Sequence, residues 1–350
     1  MPSPLLTLDV SKNITTRYLE AYFDGVHNQS RPIHPSYERL WQAIREIALQ
    51  GGKRLRPYLV FVGYGSLDER VTPIAAAQEL LHIALLVHDD VIDRDDHRHG
   101  APNINGIYKS LYRGSASSQD ESHYAYSAAI LAGDLLISAA YELISLADQV
   151  SLEDRRVAQQ LLGKSIFDVA AGELMDTEAA FMDEVYDPLT IYHYKTASYS
   201  FRGPLLSGAR LAHLPENQIS MLETYAMNVG IAFQLHDDYL GVYGEEEVTG
   251  KSASCDLREG KHTYLISHFM EHADAAAVQR YQALLGRDDI PQQELDAVKS
   301  DIESVGSRLA NTTLADTYLA KAVEAIEQLD DPFRQSELIA LANKLARRDH

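Results

Sequence analysis

The sequence contains a single cysteine, Cys255, so no disulfide can form within the chain. A lone cysteine fits a reducing compartment such as the cytosol. Residues 1–12 lack a basic region followed by a long apolar run, and we expect no secretory signal. No apolar run approaches the ~18 residues that a membrane span requires. We therefore expect a soluble, cytoplasmic protein without stable membrane association.

Positive charge is also scarce. The chain has 31 Lys and Arg against 51 Asp and Glu, which gives a formal net charge of −20 at pH 7. Such a surface should repel nucleic acids and anionic membranes, and we expect no nucleic-acid partner. It would also repel a free diphosphate, so an anionic substrate would need a local cluster of cations or bound metal ions.

Alternating strand patterns with hairpin turns are missing, whereas helical patterns dominate. We find no internal repeat and no linker, and hydrophobic residues make up 45% of the chain, enough for a sizeable core. The sequence therefore predicts one all-α helical bundle domain over residues 1–350. Helices are predicted over 74–87, 126–146, 152–182, 218–240 and 292–328, and surface loops over 113–122 and 241–261.

An acidic cluster, residues 88–93, closes the first of these apolar helices. Asp89 and Asp93 are four residues apart, so both carboxylates lie on one helical face. Unpaired carboxylates are unfavourable beside an apolar helix, and a divalent cation such as Mg²⁺ relieves their repulsion. The alternative is a solvated run of charges at a helix end, because residues 94–98 are also polar or charged.

A second acidic cluster, His236-Asp237-Asp238, follows another apolar helix. Two matching clusters suggest facing walls that share metal ions, an arrangement known from helical bundles. Gly241 stands four residues after Asp237, so this cluster lacks a carboxylate matching Asp93. Coincidence between two helix ends is the alternative, although aspartate near a helix C-terminus opposes the helix dipole.

Several basic elements accompany the two clusters. In residues 51–57, Gly-Gly-Lys-Arg-Leu-Arg-Pro, the glycines let backbone N–H groups approach an anion while Lys53 and Arg56 supply charge. Alone, residues 51–57 could be a basic loop that caps a helix, and the other elements could be ordinary surface groups. Together they could hold two diphosphates beside a metal site. These other elements are Arg98-His99-Gly100, Lys195-Thr196, Lys251 and Lys261. A Walker-type Gly-Lys-Ser/Thr loop is missing, which argues against an ordinary nucleotide-binding enzyme.

In this order the motifs resemble those of the trans-polyprenyl diphosphate synthases. The resemblance covers roughly residues 40–265 and includes the glycine-lysine-arginine motif, both aspartate-rich motifs, the Lys-Thr pair and the lysine-containing loop at 250–261. It implies the type I isoprenoid synthase fold, with a central active-site cavity. It also implies condensation of isopentenyl diphosphate with allylic diphosphates and a homodimer.

The resemblance assigns roles position by position. The implied ligands of Mg²⁺, three ions with substrate bound, are Asp89, Asp93 and Asp237, supported by Asp90 and Asp238. The implied isopentenyl diphosphate contacts are Gly52, Lys53, Arg56, His82 and the position of His99. The implied allylic diphosphate contacts are Arg98, Lys195 and Lys251, with Lys261 helping to close the site. Thr196 and Gln234 would lie near the developing allylic cation.

Three positions depart from the family pattern. His99 replaces the second arginine of the usual pair, and a neutral histidine is a weaker phosphate ligand. Gly241 replaces the last aspartate of the second motif, whose first aspartate is retained as Asp237. Glu173 stands where many members have glutamine.

The predicted product is geranylgeranyl diphosphate, with twenty carbons. In the family, bulky aromatic residues four or five positions before the first aspartate stop growth at fifteen carbons, and here these positions are Leu85 and Ala84. Leu80 and Leu81 on the next turn, with a floor of Ile130, Leu131 and Leu135, should limit the chain. Farnesyl or longer polyprenyl diphosphates are the alternatives. Two other functions are possible. The first is a terpene cyclase, which the basic motif at 51–57 opposes. The second is a non-catalytic synthase subunit, which the intact aspartates oppose.

Overall fold

Helices form nearly all of the regular structure in the computed structural model, which describes residues 6–98, 100–114, 117–179, 186–244, 257, 260–287 and 289–346. The α-helices in chain order are α1 (Leu8–Ser30), α2 (Pro35–Leu49), α3 (Leu55–Tyr64), α4 (Thr72–Ile92), α5 (Ile104–Tyr112), α6 (Ser118–Ser145), α7 (Leu152–Ala179), α8 (Pro188–Ile191), α9 (Gly203–Leu211), α10 (Glu216–Tyr243), α11 (Tyr264–His272), α12 (Ala275–Gln282), α13 (Gln292–Ser304), α14 (Ser307–Ala325) and α15 (Pro332–Ala346). The predicted all-α fold is confirmed.

Elements of other types lie between the α-helices. A 3₁₀-helix, Glu69–Val71, leads into α4, and a π-helix, Tyr192–Arg202, follows α8. Strands β1 (His97–Arg98) and β2 (Ala101–Pro102) pair antiparallel in a small hairpin after α4. A π-helix of this length is rare, and π-helical segments are frequent at functional sites.

Side-chain caps set several helix starts that apolar periodicity does not reveal. The Ser117 hydroxyl accepts from the backbone N–H of Asp120 and starts α6 eight residues before the predicted position 126. At the other end of the chain, Gly306 has φ of 79° and separates α13 from α14, so the predicted helix 292–328 is two helices. Helix α10 continues to Tyr243, so the loop predicted from 241 begins later.

The chain divides into two compact units. Unit 1 consists of Met1–Lys164 and Gly203–Pro215, and unit 2 of Ser165–Arg202 and Glu216–His350. The single-domain organisation stays a prediction.

Unit 1 is built around α4, which is buried on most faces and packs chiefly against α6. Helices α3 and α9 cross at two glycines: a Cβ on Gly63 would lie 2.1 Å from the Leu205 carbonyl oxygen, and one on Gly208 would lie 2.0 Å from that of Val60. Only glycine permits this backbone approach, which holds α9 against the helix that follows the basic loop.

Unit 2 is built around α10, which packs against α14 and the π-helix. Tyr192, Ala197, Ile231 and Leu235 form one buried cluster between the π-helix and α10. A second buried cluster joins α11, α12 and α13 and contains Leu257. The two clusters hold α10 on both sides of its acidic motif.

In the part of the chain that the structure describes, two helical stretches, Glu69–Ile92 and Ser118–Ser145, are long and apolar enough to cross a membrane by length and composition. In the most apolar 18-residue window of each stretch, 78% and 50% of the residues, in that order, are buried inside the structure. Core helices of water-soluble proteins pass the same test, so the two stretches are weak evidence for a membrane protein.

Candidate active site

The basic loop between α2 and α3 belongs to unit 1. Gly51 and Gly52 have φ of 127° and 108°, a backbone conformation that favours glycine, and a Cβ on either would meet nothing within 4 Å. Lys53 is exposed, and Arg56, the second residue of α3, is half-buried. The loop therefore presents one exposed and one half-buried cation beside open backbone.

Arg54, to which the sequence assigned no role, anchors this loop. Its side chain is buried and donates to the Glu79 carboxylate on α4 at 2.7 Å and to the Ala48 carbonyl at 2.5 Å. Arg54 also has φ of 50°, an unfavourable value for a residue with a Cβ. The buried ion pair fixes this conformation and the direction in which Lys53 and Arg56 leave the loop.

His82 lies on α4 within the field of three arginines. Burial, and then the positive charges of Arg56, Arg98 and Arg54, lower the pKa of His82 well below its ordinary value. The imidazole is therefore neutral near pH 7, and one of its nitrogens can donate a hydrogen bond. The structure thus brings together His82, Arg56 and Arg98, three residues that the sequence assigned to the two diphosphates.

The first aspartate motif ends α4 with its carboxylates in different environments. Asp89 is half-buried, Asp93 is exposed as the residue that caps the helix, and Asp90 is buried. The Arg98 guanidinium donates to Asp90 at 2.6 and 2.9 Å and to Asp89 at 3.1 Å. Burial raises the pKa of Asp90 to about 6, although Arg98 acts in the opposite direction. Asp89 and Asp93, more open than Asp90, are thus the motif's candidates for an external ligand.

The start of α5 fixes the turn between this motif and Arg98. The Asn105 side-chain amide donates to the carbonyls of Asp90 and Asp95 at 2.9 Å each, and the Asn103 amide donates to Asp95 at 2.8 Å. A Cβ on Gly106 would lie 2.2 Å from the Asp96 carbonyl oxygen. This packed turn leads into strand β1, which places Arg98 beside the aspartates.

The second aspartate motif lies on α10 in unit 2 and, like the first, has one accessible and one buried aspartate. Asp237 is exposed, whereas Asp238 is buried. One oxygen of Asp238 accepts from the Tyr192 hydroxyl, and the other accepts from the Gln234 amide at 2.9 Å. In both motifs, then, the first aspartate is accessible and the second is buried and held by side chains. The metal role predicted for Asp90 and Asp238 stays a prediction, and the buried hydrogen bonds favour an orienting role for both.

The Lys-Thr pair lies on the π-helix beside α10. The Thr196 hydroxyl donates to the Gln234 side-chain oxygen at 2.7 Å, so the two residues predicted near the allylic cation are in contact. The Lys195 ammonium lies 2.5 Å from the Asp176 carboxylate and 3.0 Å from that of Glu173, both on α7. A Cβ on Gly172 would lie 2.2 Å from the Lys195 backbone nitrogen, so glycine permits α7 to approach this closely.

Lys261, the cation predicted to help close the site, is half-buried and lies just before α11. The preceding Gly260 has φ of 68° and turns the chain. His99 and Lys251, the remaining predicted substrate contacts, lie outside the described residues.

Comparison with known proteins decides the family. The chain matches the model of the polyprenyl synthetase family over residues 37–302, which is most of its length.

The chain belongs to the polyprenyl synthetase family.

Individual members of the family are similar along much of their length. A short chain isoprenyl diphosphate synthase from Methanocaldococcus jannaschii is 33% identical over 269 residues, 74% of each chain. A geranylgeranyl diphosphate synthase from Sulfolobus acidocaldarius is 30% identical over 89% of this chain and 92% of that one. A crystal structure of geranylgeranyl pyrophosphate synthase from Corynebacterium glutamicum, complexed with isoprenyl diphosphate and magnesium, superposes with a TM-score of 0.90 at 27% identity. It covers 98% of this chain and 100% of that one. The predicted family and enzyme class, a prenyltransferase, are confirmed.

The donor set of this polyprenyl synthetase fits a divalent metal ion. Asp89, Asp93 and Asp237 present carboxylate oxygens, the ligands that Mg²⁺ prefers, and all three keep contact with solvent. Within the described ranges, no group of three or more His, Cys, Asp or Glu side chains is arranged to hold a metal ion. Mg²⁺ commonly binds through one or two carboxylates together with water and substrate phosphates. The carboxylates of this synthetase fit that pattern.

Sequence reasoning missed three groups around the polyprenyl synthetase motifs. Arg54 was counted only as a cation, and Tyr192 carried no signal because its contact with Asp238 joins residues 46 apart. Asp176 had a detectable signal, since it lies three residues after Glu173 and therefore on the same face of α7. The spacing shows that Glu173 and Asp176 share a face of α7, but only the fold shows that this face pairs with Lys195.

Proposed function

We propose that this enzyme condenses isopentenyl diphosphate with an allylic diphosphate and releases inorganic diphosphate. The observation that carries the proposal is the arrangement at the end of α4, where Arg98 bonds Asp89 and Asp90 while His82 lies in the field of Arg56 and Arg98. Cations and carboxylates this close suit a substrate that carries a diphosphate with its metal ions. An acidic chain of net charge −20 needs such a local site for an anionic substrate.

The proposed reaction requires divalent metal ions, and we propose Mg²⁺, with three ions when substrate is bound. Asp89, Asp93 and Asp237 would hold the ions. When bound, Mg²⁺ neutralises the oxygens of the allylic diphosphate and improves it as a leaving group. Asp90 and Asp238 keep their neighbours in place through the hydrogen bonds described above.

The reaction breaks the bond between C1 of the allylic substrate and its diphosphate oxygen. The double bond of isopentenyl diphosphate then attacks C1 through its terminal carbon, and a new carbon–carbon bond forms. A proton lost from C2 of the isopentenyl unit regenerates a double bond, and the departing diphosphate takes that proton. No side chain serves as a nucleophile, so the protein acts by binding, orientation and exclusion of water.

The chain's own residues divide this work. Lys53, Arg56 and His82 hold isopentenyl diphosphate, with Gly52 leaving backbone room. Arg98, Lys195 and Lys251 hold the allylic diphosphate, and Lys261 closes the site over both substrates. The hydroxyl oxygen of Thr196, oriented by Gln234, stabilises positive charge at C1.

Arg98 and Lys195 are paired with carboxylates of the protein. Arg98 is held by Asp89 and Asp90, and Lys195 by Glu173 and Asp176. Binding of the allylic diphosphate therefore exchanges one set of anions for another. The internal ion pairs orient the two cations, and the loss of these pairs is the energetic penalty of the exchange.

The proposed product is geranylgeranyl diphosphate. Leu85 lies four residues before Asp89 on the same helical face and is half-buried, and no aromatic side chain stands there to block a growing chain. Ala84 is fully buried within unit 1, as are Leu80 and Leu81. Names of relatives that include short-chain and geranylgeranyl synthases agree with a product of this size.

We also propose a cytoplasmic homodimer. Helices α5 and α6 of unit 1 expose apolar side chains that a second copy would cover: Leu111, Tyr124, Ile130 and Leu131, between 38% and 56% exposed. Ile130 and Leu131 are therefore exposed in unit 1, where the sequence predicted them in the floor of the product tunnel. Tyr124 and Leu131 are seven residues apart and share one face of α6. Sedimentation at working concentration should give a species of twice 39.0 kDa, and a monomer would contradict this part of the proposal.

One experiment tests the reaction. The purified chain is incubated with isopentenyl diphosphate, Mg²⁺ and, in turn, dimethylallyl, geranyl and farnesyl diphosphate, and the products are separated by chain length. We expect elongation from at least one starter, with a twenty-carbon product dominating and loss of activity in EDTA. Release of a cyclic hydrocarbon, or failure of every starter, would contradict the proposal.

A further inference from the structure

The Tyr192 side chain connects the second aspartate motif to the start of α11. Tyr192 is buried, and its hydroxyl donates to the Asp238 carboxylate while accepting from the backbone N–H of Tyr264 at 2.7 Å. The Tyr264 N–H can only donate, so the Tyr192 proton is directed to Asp238. The hydroxyl therefore has a defined donor direction and a defined acceptor direction.

Asp238 transmits this orientation to Gln234. The other oxygen of its carboxylate accepts from the Gln234 amide at 2.9 Å, and a carboxylate that only accepts requires the NH₂ end of the amide on that side. The amide oxygen of Gln234 must then face the other way, where it accepts the Thr196 hydroxyl proton at 2.7 Å. One chain of hydrogen bonds thus runs from Tyr192 through Asp238 and Gln234 to Thr196.

We propose that Tyr192 is a positioning residue for prenyl transfer, which acts through Asp238 and Gln234 to fix the hydroxyl of Thr196. The inference rests on the proposed function, because it assigns the Thr196 oxygen to charge at the reacting carbon. Without the Tyr192 hydroxyl, Asp238 loses one of its donors, and the Gln234 amide is held less firmly in one orientation. A displacement of about 1 Å at a group near the reacting atoms can lower a rate about a hundredfold.

The chain supplies a matched control for the loss of a buried tyrosine hydroxyl. Tyr225, also in unit 2, is fully buried and donates to the Leu338 carbonyl at 2.7 Å. We expect Tyr192→Phe to lower kcat by about tenfold to a hundredfold while KM for both diphosphates stays within about threefold. Tyr225→Phe should keep kcat near the wild-type value. Equal kcat values in the two variants would overturn the proposal.

A double-mutant cycle distinguishes positioning from loss of stability. In a Thr196→Val background the hydroxyl that Tyr192 positions is already gone, so adding Tyr192→Phe should lower kcat by less than about threefold. A residue that only stabilises the fold would lower kcat by the same factor in both backgrounds, and that result would overturn the proposal.

A structural measurement separates this inference from the proposed function. In a crystal structure of Tyr192→Phe, we expect the Thr196–Gln234 hydrogen bond to be lost or the Gln234 amide to be displaced, while the same bond persists in Tyr225→Phe. If the Thr196–Gln234 bond is unchanged in Tyr192→Phe, the positioning role is wrong, whatever reaction the enzyme performs. Failure of the wild type to elongate any starter refutes the proposed function instead, and with it the assignment to prenyl transfer.

Discussion

The Lys195 ammonium lies 3.0 Å from the carboxylate of Glu173. The Asp176 carboxylate is closer still, at 2.5 Å. The proposed cation for the allylic diphosphate is therefore shared between two anions on one face of α7. Glutamine in place of Glu173 would keep a hydrogen-bond acceptor but remove one of the charges that compete with the substrate.

We expect Glu173→Gln to lower KM for the allylic diphosphate by about two- to fivefold, because a partly exposed ion pair contributes about 1 kcal/mol or less. KM for isopentenyl diphosphate should not change. Steady-state kinetics with each substrate varied in turn measure both values. Glu178→Gln, in which a Tyr186 hydrogen bond rather than an ion pair is altered on the same helix, is the control. An unchanged allylic KM in Glu173→Gln would show that the pair does not compete with substrate.

Asp237 offers the cleanest test of the metal site, because its side chain is exposed and its loss should leave the fold intact. We expect Asp237→Ala and Asp89→Ala to lower turnover by orders of magnitude. Mg²⁺ commonly binds through only one or two protein carboxylates, so the loss of one removes a large share of its protein ligands. Turnover is measured over a series of Mg²⁺ concentrations, with circular dichroism as the check on folding. Asp148→Ala, an 89% exposed side chain of unit 1, should keep full activity. Near-normal turnover in either active-site variant would refute the assignment.

The Arg54–Glu79 pair should dominate the stability of the basic loop. Arg54→Met keeps most of the side-chain volume but leaves Glu79 buried without its cation, and we expect a loss of about 3–5 kcal/mol in the free energy of unfolding. Chemical denaturation measures this change. Arg287→Met, which removes a surface pair with Glu294 at 2.7 Å, should change stability little. Similar losses in the two variants would show that burial of the Arg54 pair is unimportant.

His82 should make stability depend on pH in a defined direction. Its pKa in the folded protein lies well below the ordinary value of 6.5, so the folded state binds fewer protons than the unfolded chain below that pH. The stability contribution is present above pH 6.5 and is lost as the pH falls toward the folded-state pKa. Urea unfolding in EDTA should therefore show wild type losing more stability than His82→Asn between about pH 7 and pH 5. Parallel pH profiles of the two proteins would contradict this assignment.

Leu85 and Ala84 test the proposed limit on product length. Leu85 is half-buried on the Asp89 face of α4, so Leu85→Phe should shorten the product toward fifteen carbons. Ala84 has no exposed surface, and Ala84→Phe should also cost about 1–3 kcal/mol through overpacking. Product chromatography and thermal unfolding of both variants make the comparison. Wild-type products from both would show that the growing chain does not pass this part of α4.

Apolar periodicity was sufficient to predict the central helices, because α4 is buried on most sides and apolar residues recur along α10 from Ile219 to Val242. Their boundaries were harder to predict. The first turn of α6 is polar and depends on a single hydroxyl, that of Ser117, and the break at Gly306 depends on one positive φ angle. A capping hydroxyl and a single positive φ angle do not change the pattern of hydrophobic residues, so that pattern does not reveal these helix boundaries.

The sequence points to charged residues of the candidate site but not to the groups that support them. Asp89 and Asp93 were selected by their four-residue spacing and Asp237 by the repeated His-Asp-Asp motif, and their role as metal ligands stays a prediction. The partners of the buried aspartates could not be found in this way, since Arg98 reaches Asp90 through a hairpin and Tyr192 reaches Asp238 across 46 residues. These contacts depend on tertiary packing.

The π-helix that carries Lys195 and Thr196 makes the directions of its side chains depend on its hydrogen-bond pattern. Its i to i+5 hydrogen bonds give fewer degrees of rotation per residue than the i to i+4 bonds of an α-helix. A change to α-helical hydrogen bonding, with about 100° per residue, would therefore rotate each following side chain away from its present direction. Tyr192 and Thr196 would then leave the phase in which they both meet residues of α10. A substitution in residues 192–202 that favours the α-helix should thus disturb the site even where it removes none of the hydrogen-bonding groups.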